Sequence, residues 1–134
     1  MSYAAAVADV AVNSAGVVRV TRLWCAHDCG LVVNPDQVRA QCEGNLVWNI
    51  GLVLSDMLPV EDGRVIAQTF GDAPIPRLGD VPQMSIELVE STEPPTGAGE
   101  TAIVAGPGAI ANAVRAATGT RPVRFPISPQ RLRA

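Results

Sequence analysis

Near the end of the chain a glutamate follows two closely spaced glycines, in the run Gly97-Ala98-Gly99-Glu100. The run lies between a strand-like segment and a predicted helix, and functional side chains are often placed at such boundaries. Glycine lets another group approach the backbone closely, and a carboxylate can act as a general base. The run therefore makes Glu100 a candidate catalytic base. A glycine turn with a solvated surface glutamate explains the same four residues and is the commoner case.

A second set of chemically active side chains is Cys25, His27 and Cys29. On a strand all three would share a face, as metal ligands could. The outer two Cα atoms would lie roughly 13 Å apart on a strand, whereas thiolates on one zinc ion must converge to bonds of about 2.3 Å. We therefore predict no metal site and expect these cysteines to be buried as small apolar side chains.

Other catalytic patterns are incomplete. His27 is the single histidine and no nucleophile elbow accompanies it, which argues against a Ser-His-Asp triad. Gly106-Pro107-Gly108 lacks the Lys-Ser/Thr end of a phosphate-binding loop, since the chain has no lysine. The 3 cysteines are an odd number, so a reducing compartment is a simpler explanation than a disulfide framework.

The charge distribution bears on the class of partner. All 10 basic residues are arginines, and no acidic residue follows Glu100. The arginine-rich end could bind a nucleic acid or another acidic partner, or it could neutralise the acidic body of the same chain. We favour the second, because this end lacks the interleaved aromatic residues, and the chain the high pI, that are expected of a nucleic-acid binder. We expect no nucleic acid as partner. No apolar run approaches the length of about 18 residues that spans a bilayer, and no signal sequence is evident, so we expect a cytoplasmic protein, with export beside a partner left open.

The elements that would position these residues begin with strands. Residues 3–12 and 17–26 flank a turn at 13–16 and predict a β-hairpin. An Asp-Gly turn at 62–63 predicts a second, short hairpin, and the alternation over 84–89 predicts a further strand.

Strict alternation in the second strand would place Val20 and Trp24 on one face and Leu23 and Cys25 on the other. Neither face is cleanly polar. We therefore expect this strand to be covered on both sides, with a partner as one possible cover.

Two helices complete the prediction. Asn34 as N-cap before Pro35 starts a helix that should end near Ser55, and its Gly44 and Gly51 suggest close approach of other groups. A second helix is predicted over 107–118. The chain should be one α+β domain, residues 1–134, in which hairpins of an antiparallel or mixed sheet pack with two main helices.

Several separate motifs follow each other in one order along nearly the whole chain. They are residues 3–10; 28–30 with 33–44; Phe70, Pro74 and Arg77; 86–91; 97–100; and 111–113 with 116–119 and 126–127. Together they resemble the C-terminal part of the molybdopterin-binding large subunit of the xanthine oxidase and aldehyde oxidase family, and within it the isoquinoline 1-oxidoreductase type.

The resemblance implies site residues. In that family the glutamate after the glycine pair is the general base at molybdenum, and it maps onto Glu100. The family's glutamine that approaches the cofactor maps onto Gln41, and Gly97, Ala98 and Gly99 would bring backbone amides close to the cofactor. The complete enzyme would carry a molybdenum cofactor of the molybdopterin cytosine dinucleotide type and hydroxylate an aldehyde or N-heterocycle with oxygen from water.

The resemblance also implies partners, because the family's large subunits are several times longer than this chain. We expect the remainder of the molybdopterin-binding subunit and an iron–sulfur subunit to be needed for activity, and no cofactor in the isolated chain. Isolated, the chain should self-associate, since Trp24 and Trp48 would normally be covered. The alternative is a non-catalytic remnant that serves as a self-associating structural module.

Three positions depart from the family pattern. Thr101 stands where proline is common, Ala73 where tyrosine is usual, and Asn45 where a second glycine follows the first. The resemblance implies that these departures bear on substrate fit and activity more than on the fold.

Overall fold

The computed structural model describes residues 1–132 and shows a three-stranded sheet packed against two helices. Strand β1 (Tyr3–Val12) pairs antiparallel with β2 (Val18–Asp28). Helix α1 (Pro35–Leu54) follows, then the two-residue strands β3 (Val60–Glu61) and β4 (Arg64–Val65).

The second half of the chain adds one strand and the second main helix. Strand β5 (Gln83–Leu88) pairs parallel with β2, which gives the order β1-β2-β5. Helix α2 spans Gly106–Thr118 and the short helix α3 spans Pro129–Leu132. The predicted α+β class, with hairpins in a mixed sheet and two main helices, is confirmed. Arg133 of the arginine-rich end lies outside the described residues.

Local sequence explains where the main helices begin and end. The Asn34 side chain accepts a hydrogen bond from the Gln37 amide at 3.2 Å, as an N-cap should, and Pro35 follows at the first helical position. Helix α2 ends at Gly119, whose φ of 77° is the left-handed conformation that glycine tolerates best. Both predicted helices are confirmed.

One prediction about strand β2 is wrong. The pairing register with β1 shifts between Asp9 and Val10, so that Thr21 is an extra residue in β2. The Thr21 hydroxyl donates to the Asp9 carbonyl at 3.2 Å. Because of this bulge Val20 and Leu23 are both buried, whereas unbroken alternation would place them on opposite faces.

The core lies between the sheet and the helices. The buried face of β1 is built from small residues around Ala8, which allows the alanine-rich α2 to pack closely on it. Helix α1 covers β2 and β5. The buried apolar residues of this core are Ala8, Val20, Leu23, Cys25, Cys42, Leu46, Ile50, Val53, Ala102, Ile110, Val114 and Ile127.

The opposite face of the sheet is open in this chain. Val7 and Trp24 are direct cross-strand partners on that face, and they are 62% and 37% exposed. Tyr3 lies on the same face of β1 and is also exposed. No helix within residues 1–132 is both long and apolar enough to cross a membrane.

The two helix glycines behave differently from each other. A Cβ at Gly51 would lie 2.6 Å from the Asp56 carboxylate, so the predicted close approach is present there. At Gly44 an added Cβ would meet nothing within 4 Å, so no group of this chain approaches that residue closely and the expectation stays a prediction there.

Candidate functional site

Helix α1 presents a row of amide side chains to the segment that carries Glu100. Gln41, Asn45 and Asn49 follow each other at intervals of four residues, so they lie on one face of the helix. This face lies against the segment that runs from the glycine pair into the start of α2. The row therefore fixes where the glycine run can sit.

The carbonyl oxygen of Gly99 is bound by two of these amides. Asn45 Nδ2 donates to it at 2.9 Å and Gln41 Nε2 donates to it at 3.3 Å. Asn45 Nδ2 also donates to the Gln41 carbonyl at 2.7 Å. Carbonyl oxygens accept only, so these two contacts fix which end of the Asn45 amide carries the nitrogen.

The carbonyl oxygen of Gly97 is held from two other directions. Ser2 Oγ donates to it at 2.5 Å, and Thr101 Oγ1 donates to it at 3.0 Å. The hydroxyls of Ser2 and Thr96 also share a hydrogen bond of 2.7 Å. Both glycine carbonyls of the run are thus used by the rest of the chain.

The backbone N–H groups of the same run are free. Within the described part of the chain, those of Gly97, Ala98, Gly99 and Glu100 donate no hydrogen bond. Three of these four residues are exposed and Ala98 is partly so. The loop therefore combines fixed carbonyls with available N–H groups, and such groups can donate to the oxygen atoms of a ligand.

Glu100 ends this run at the start of a short 3-10 turn, Thr101–Val104. Its carbonyl accepts a hydrogen bond from the Ile103 amide at 3.1 Å, which anchors the backbone. Its side chain is exposed and makes no hydrogen bond or ion pair with residues 1–132. The carboxylate is therefore accessible to a group from outside the chain.

A pocket of about 280 Å³ lies beside the loop. Gln41, Ala98 and Gly99 line it, so the structure brings these three predicted site residues together. Gly97 and Glu100 are neighbours in the chain but are not part of the pocket wall. The other lining residues are Cys29, Leu31, Val32, Val33, Asn34, Gln37, Val38, Pro95 and Thr96.

The cysteines and the histidine lie in the interior. The thiols of Cys25 and Cys42 form a hydrogen bond that lowers the pKa of Cys25 and raises that of Cys42. Burial lowers the pKa of His27, and the neighbouring Asp28 charge opposes this. Within residues 1–132 no group of three or more His, Cys, Asp or Glu side chains is arranged to hold a metal ion.

Sequence reasoning missed the residues that hold the loop. Asn45 and Thr101 depart from a family pattern, but the sequence alone does not predict their hydrogen bonds to the glycine carbonyls. The interval of four between Gln41, Asn45 and Asn49 was the available signal, because it places amides in a row. Ser2 gave no such signal, since its partner lies 95 residues away.

Comparison with known proteins gives consistent results. Residues 1–82 match the molybdopterin cofactor-binding domain family. The chain is 40% identical to a nicotinate dehydrogenase subunit of Pseudomonas putida, over 99% of this chain and 11% of that protein. It is 33% identical to the beta subunit of isoquinoline 1-oxidoreductase from Brevundimonas diminuta, over 96% of this chain and 16% of that protein.

Solved structures show the same fold. Quinoline 2-oxidoreductase from Pseudomonas putida superposes with a TM-score of 0.81 at 30% identity, over 92% of this chain and 17% of that one. Aldehyde oxidoreductase from Desulfovibrio gigas gives a TM-score of 0.82 at 28% identity, over 93% and 14%. The chain thus spans less than a fifth of the length of each of these four proteins.

Proposed function

The chain belongs to the molybdopterin cofactor-binding domain family, and from this premise we propose that it supplies the general base of a molybdenum hydroxylase. In this proposal Glu100 is the base, and Gln41, Gly97, Ala98 and Gly99 contact the cofactor. The enzyme hydroxylates an aldehyde or an N-heterocycle with oxygen from water. One observation carries the proposal: an accessible, unpartnered carboxylate directly follows a loop with free backbone donors.

The residues present fit a molybdopterin-type cofactor in their hydrogen-bonding chemistry. Such a group is rich in oxygen and nitrogen acceptors, and the free N–H groups of residues 97–100 are donors without side-chain obstruction at Gly97 and Gly99. Gln41 places an amide in the wall of the adjacent pocket. A group of the cytosine dinucleotide type is the form we propose.

The chemistry divides between the cofactor and the chain. When bound, the cofactor supplies the two-electron redox centre at which the substrate is oxidised. Glu100 accepts the proton released from the water-derived oxygen, and the hydrogen bond from the Ile103 amide to its carbonyl fixes the backbone from which the carboxylate projects. The hydrogen bonds to Gly97 and Gly99 hold the loop in one conformation, which spares the reaction the cost of ordering it.

The partners follow from the length of the relatives. Because the chain spans 11% and 16% of two of them, we propose that it functions with the remainder of a molybdopterin-binding subunit. An iron–sulfur subunit would accept the electrons. The free amides and the exposed Glu100 would then face this remainder, which would close the site from the other side.

The decisive experiment is Glu100→Gln in the chain reunited with those partners. Glutamine keeps the shape but cannot accept the proton, so turnover should fall by about 10² to 10⁴. Cofactor content should stay near that of the unmodified complex. The matched control is Glu90→Gln, since Glu90 is also exposed and lies outside the loop. Equal turnover by the two variants, with an aldehyde or N-heterocycle as substrate, would remove the catalytic assignment.

A second candidate function is a non-catalytic, self-associating module. The observation that favours it is the open face of the sheet, where Val7 and Trp24 are paired and exposed. The neighbouring reading frame discriminates between the two. Genes for the missing molybdopterin-binding and iron–sulfur parts support the enzyme, and their absence supports the module.

A further inference from the structure

We propose that Asn45 is a positioning residue that fixes the Glu100 loop on helix α1 and thereby leaves the Gln41 amide free to bind a ligand. The catalytic role of Glu100, which the loop carries, rests on the proposed function, whereas the fixing of the loop by Asn45 does not. Asn45 reaches the loop through a single atom, Nδ2, which donates to the carbonyls of Gly99 and Gln41.

The two donors to the Gly99 carbonyl are unequal. The contact from Asn45 measures 2.9 Å, near the usual optimum for N–H···O bonds, and the contact from Gln41 measures 3.3 Å, beyond the usual range. Asn45 is 5% exposed, while Gln41 is exposed. A hydrogen bond shielded from water is the stronger one, so Asn45 is the main tether of the Gly99 carbonyl.

The surroundings of Asn45 make its conformation hard to change. Its bond to the Gln41 carbonyl, one turn earlier in α1, restrains the side chain against the helix. If the amide moved away, two acceptors would lose a donor and a buried amide would lose both partners. The helix therefore transmits its own rigidity to Gly99 and to Glu100, the next residue.

The weaker donor has the opposite property. Gln41 lines the pocket beside the loop, and its long contact with Gly99 can be exchanged for a contact with a ligand in that pocket. Because Asn45 retains the carbonyl, this exchange does not release the loop. Asn45 thus holds the loop in place while Gln41 contacts the ligand. Without Asn45, Gln41 would have to do both.

The test is nuclear magnetic resonance on the full 134-residue chain. Two quantities report on the tether: the carbonyl ¹³C shift of Gly99 and the ¹⁵N order parameters of the amides of residues 97–100. In the unmodified chain we expect order parameters near 0.85, as in rigid backbone. In Asn45→Ala the order parameters of Gly99 and Glu100 should fall below about 0.6, with a shift of the Gly99 carbonyl signal, whereas Ser2 and Thr101 still hold Gly97.

Comparison variants isolate the bond. Gln41→Ala should leave the loop ordered, and the double variant should loosen it more than the two single effects together, because the two amides share one acceptor. Asn112→Ala, an exposed asparagine on α2, should change neither quantity. If Asn45→Ala fails to fold, Asn45→Ser replaces it. Its hydroxyl can still bond the Gln41 carbonyl but is too short to reach Gly99.

The outcomes separate this inference from the proposed function. An ordered loop in Asn45→Ala or Asn45→Ser overturns the tether, and so does a Gln41→Ala loop as mobile as that of Asn45→Ala. In the reunited complex, Asn45→Ala should lower kcat by about 10-fold to 100-fold with little change in KM, because a loosened base is misplaced. If Glu100→Gln keeps full turnover while Asn45→Ala still loosens the loop, the proposed function fails and the tether stands.

Discussion

At the scale of single residues, His27 is buried without a hydrogen bond that would offset the loss of its contacts with water. It is 0% exposed, and neither ring nitrogen has a hydrogen-bond partner within residues 1–132. Burial lowers its pKa below the usual 6.5, although the adjacent Asp28 charge raises it in part. Between the lowered folded value and about 6.5 the unfolded chain binds the extra proton. The contribution of neutral His27 to the free energy of unfolding is therefore fully present above about pH 6.5. It is lost as the pH falls from about 6.5 to the lowered pKa of the folded chain.

We predict that His27→Leu removes this pH dependence and stabilises the chain. Leucine has a similar volume and no unsatisfied nitrogen, so the free energy of unfolding should rise by about 1 kcal/mol or more at neutral pH. The gain should be larger at about pH 5.5, where the wild-type chain has begun to lose stability. Urea unfolding followed by circular dichroism at both pH values measures this.

Parallel pH profiles for the wild type and His27→Leu would contradict the prediction. Asn112→Ala is the control, because it alters an exposed polar residue and should leave the profile unchanged.

At the scale of elements, the contact between α1 and α2 depends on one missing side chain. A Cβ built on Gly106 would overlap the side chain of Asn49, which is 0% exposed and has no hydrogen-bond partner within the described residues. Gly106 is the first residue of α2, so the start of this helix can approach α1 only because the glycine has no side chain.

We predict that Gly106→Ala destabilises the chain by about 1 to 3 kcal/mol, as overpacking does. Adding Asn49→Ala should recover part of this loss, since it removes the two closest overlapping atoms and leaves only the Cβ of residue 49, at 2.9 Å from the new methyl group. Gly108→Ala is the matched control on the same helix. A Cβ there meets nothing within 4 Å, so the change should be neutral or stabilising. Additive effects of Gly106→Ala and Asn49→Ala in chemical unfolding would refute the proposed contact.

The elements also show how far sequence reasoning reached. The hairpin turn, the Asn34-Pro35 helix start and the Gly119 stop are local signals, and the structure confirms each of them. The bulge at Thr21 was missed because alternation alone does not reveal a register shift that is set by the partner strand. Pairing of β5 with β2 likewise depends on contacts between distant parts of the chain.

The same division applies to the site. Its residue types and the Gly97 to Glu100 run were identifiable from spacing and resemblance, and the roles assigned to them stay predictions. The hydrogen bonds from Ser2 and Asn45 to that run were not identifiable, since they join residues 95 and 54 positions apart.

At the scale of the whole molecule, the open face of the sheet and Trp48 on α1 leave large apolar side chains exposed. Trp48 is 51% exposed and Val7 is 62% exposed. We predict that the isolated chain self-associates or binds a hydrophobic dye, because burying such surface is favourable. Light scattering over a range of concentrations tests this. A monomer that binds no dye would count against it, and Trp24→Ser with Val7→Ser should weaken any association that uses the sheet face.

The hydrogen bond from Ser2 to Gly97 has a consequence for the order of assembly during synthesis. A nascent chain can form the β1–β2 hairpin early, because its strands are close in sequence. The Glu100 loop cannot reach its final conformation until Ser2 and Gly97, which are 95 residues apart, have both left the ribosome and come into contact. Closing so long a segment costs entropy that earlier contacts must already offset. We therefore expect the loop that carries the candidate base to be among the last segments of the chain to reach its final conformation.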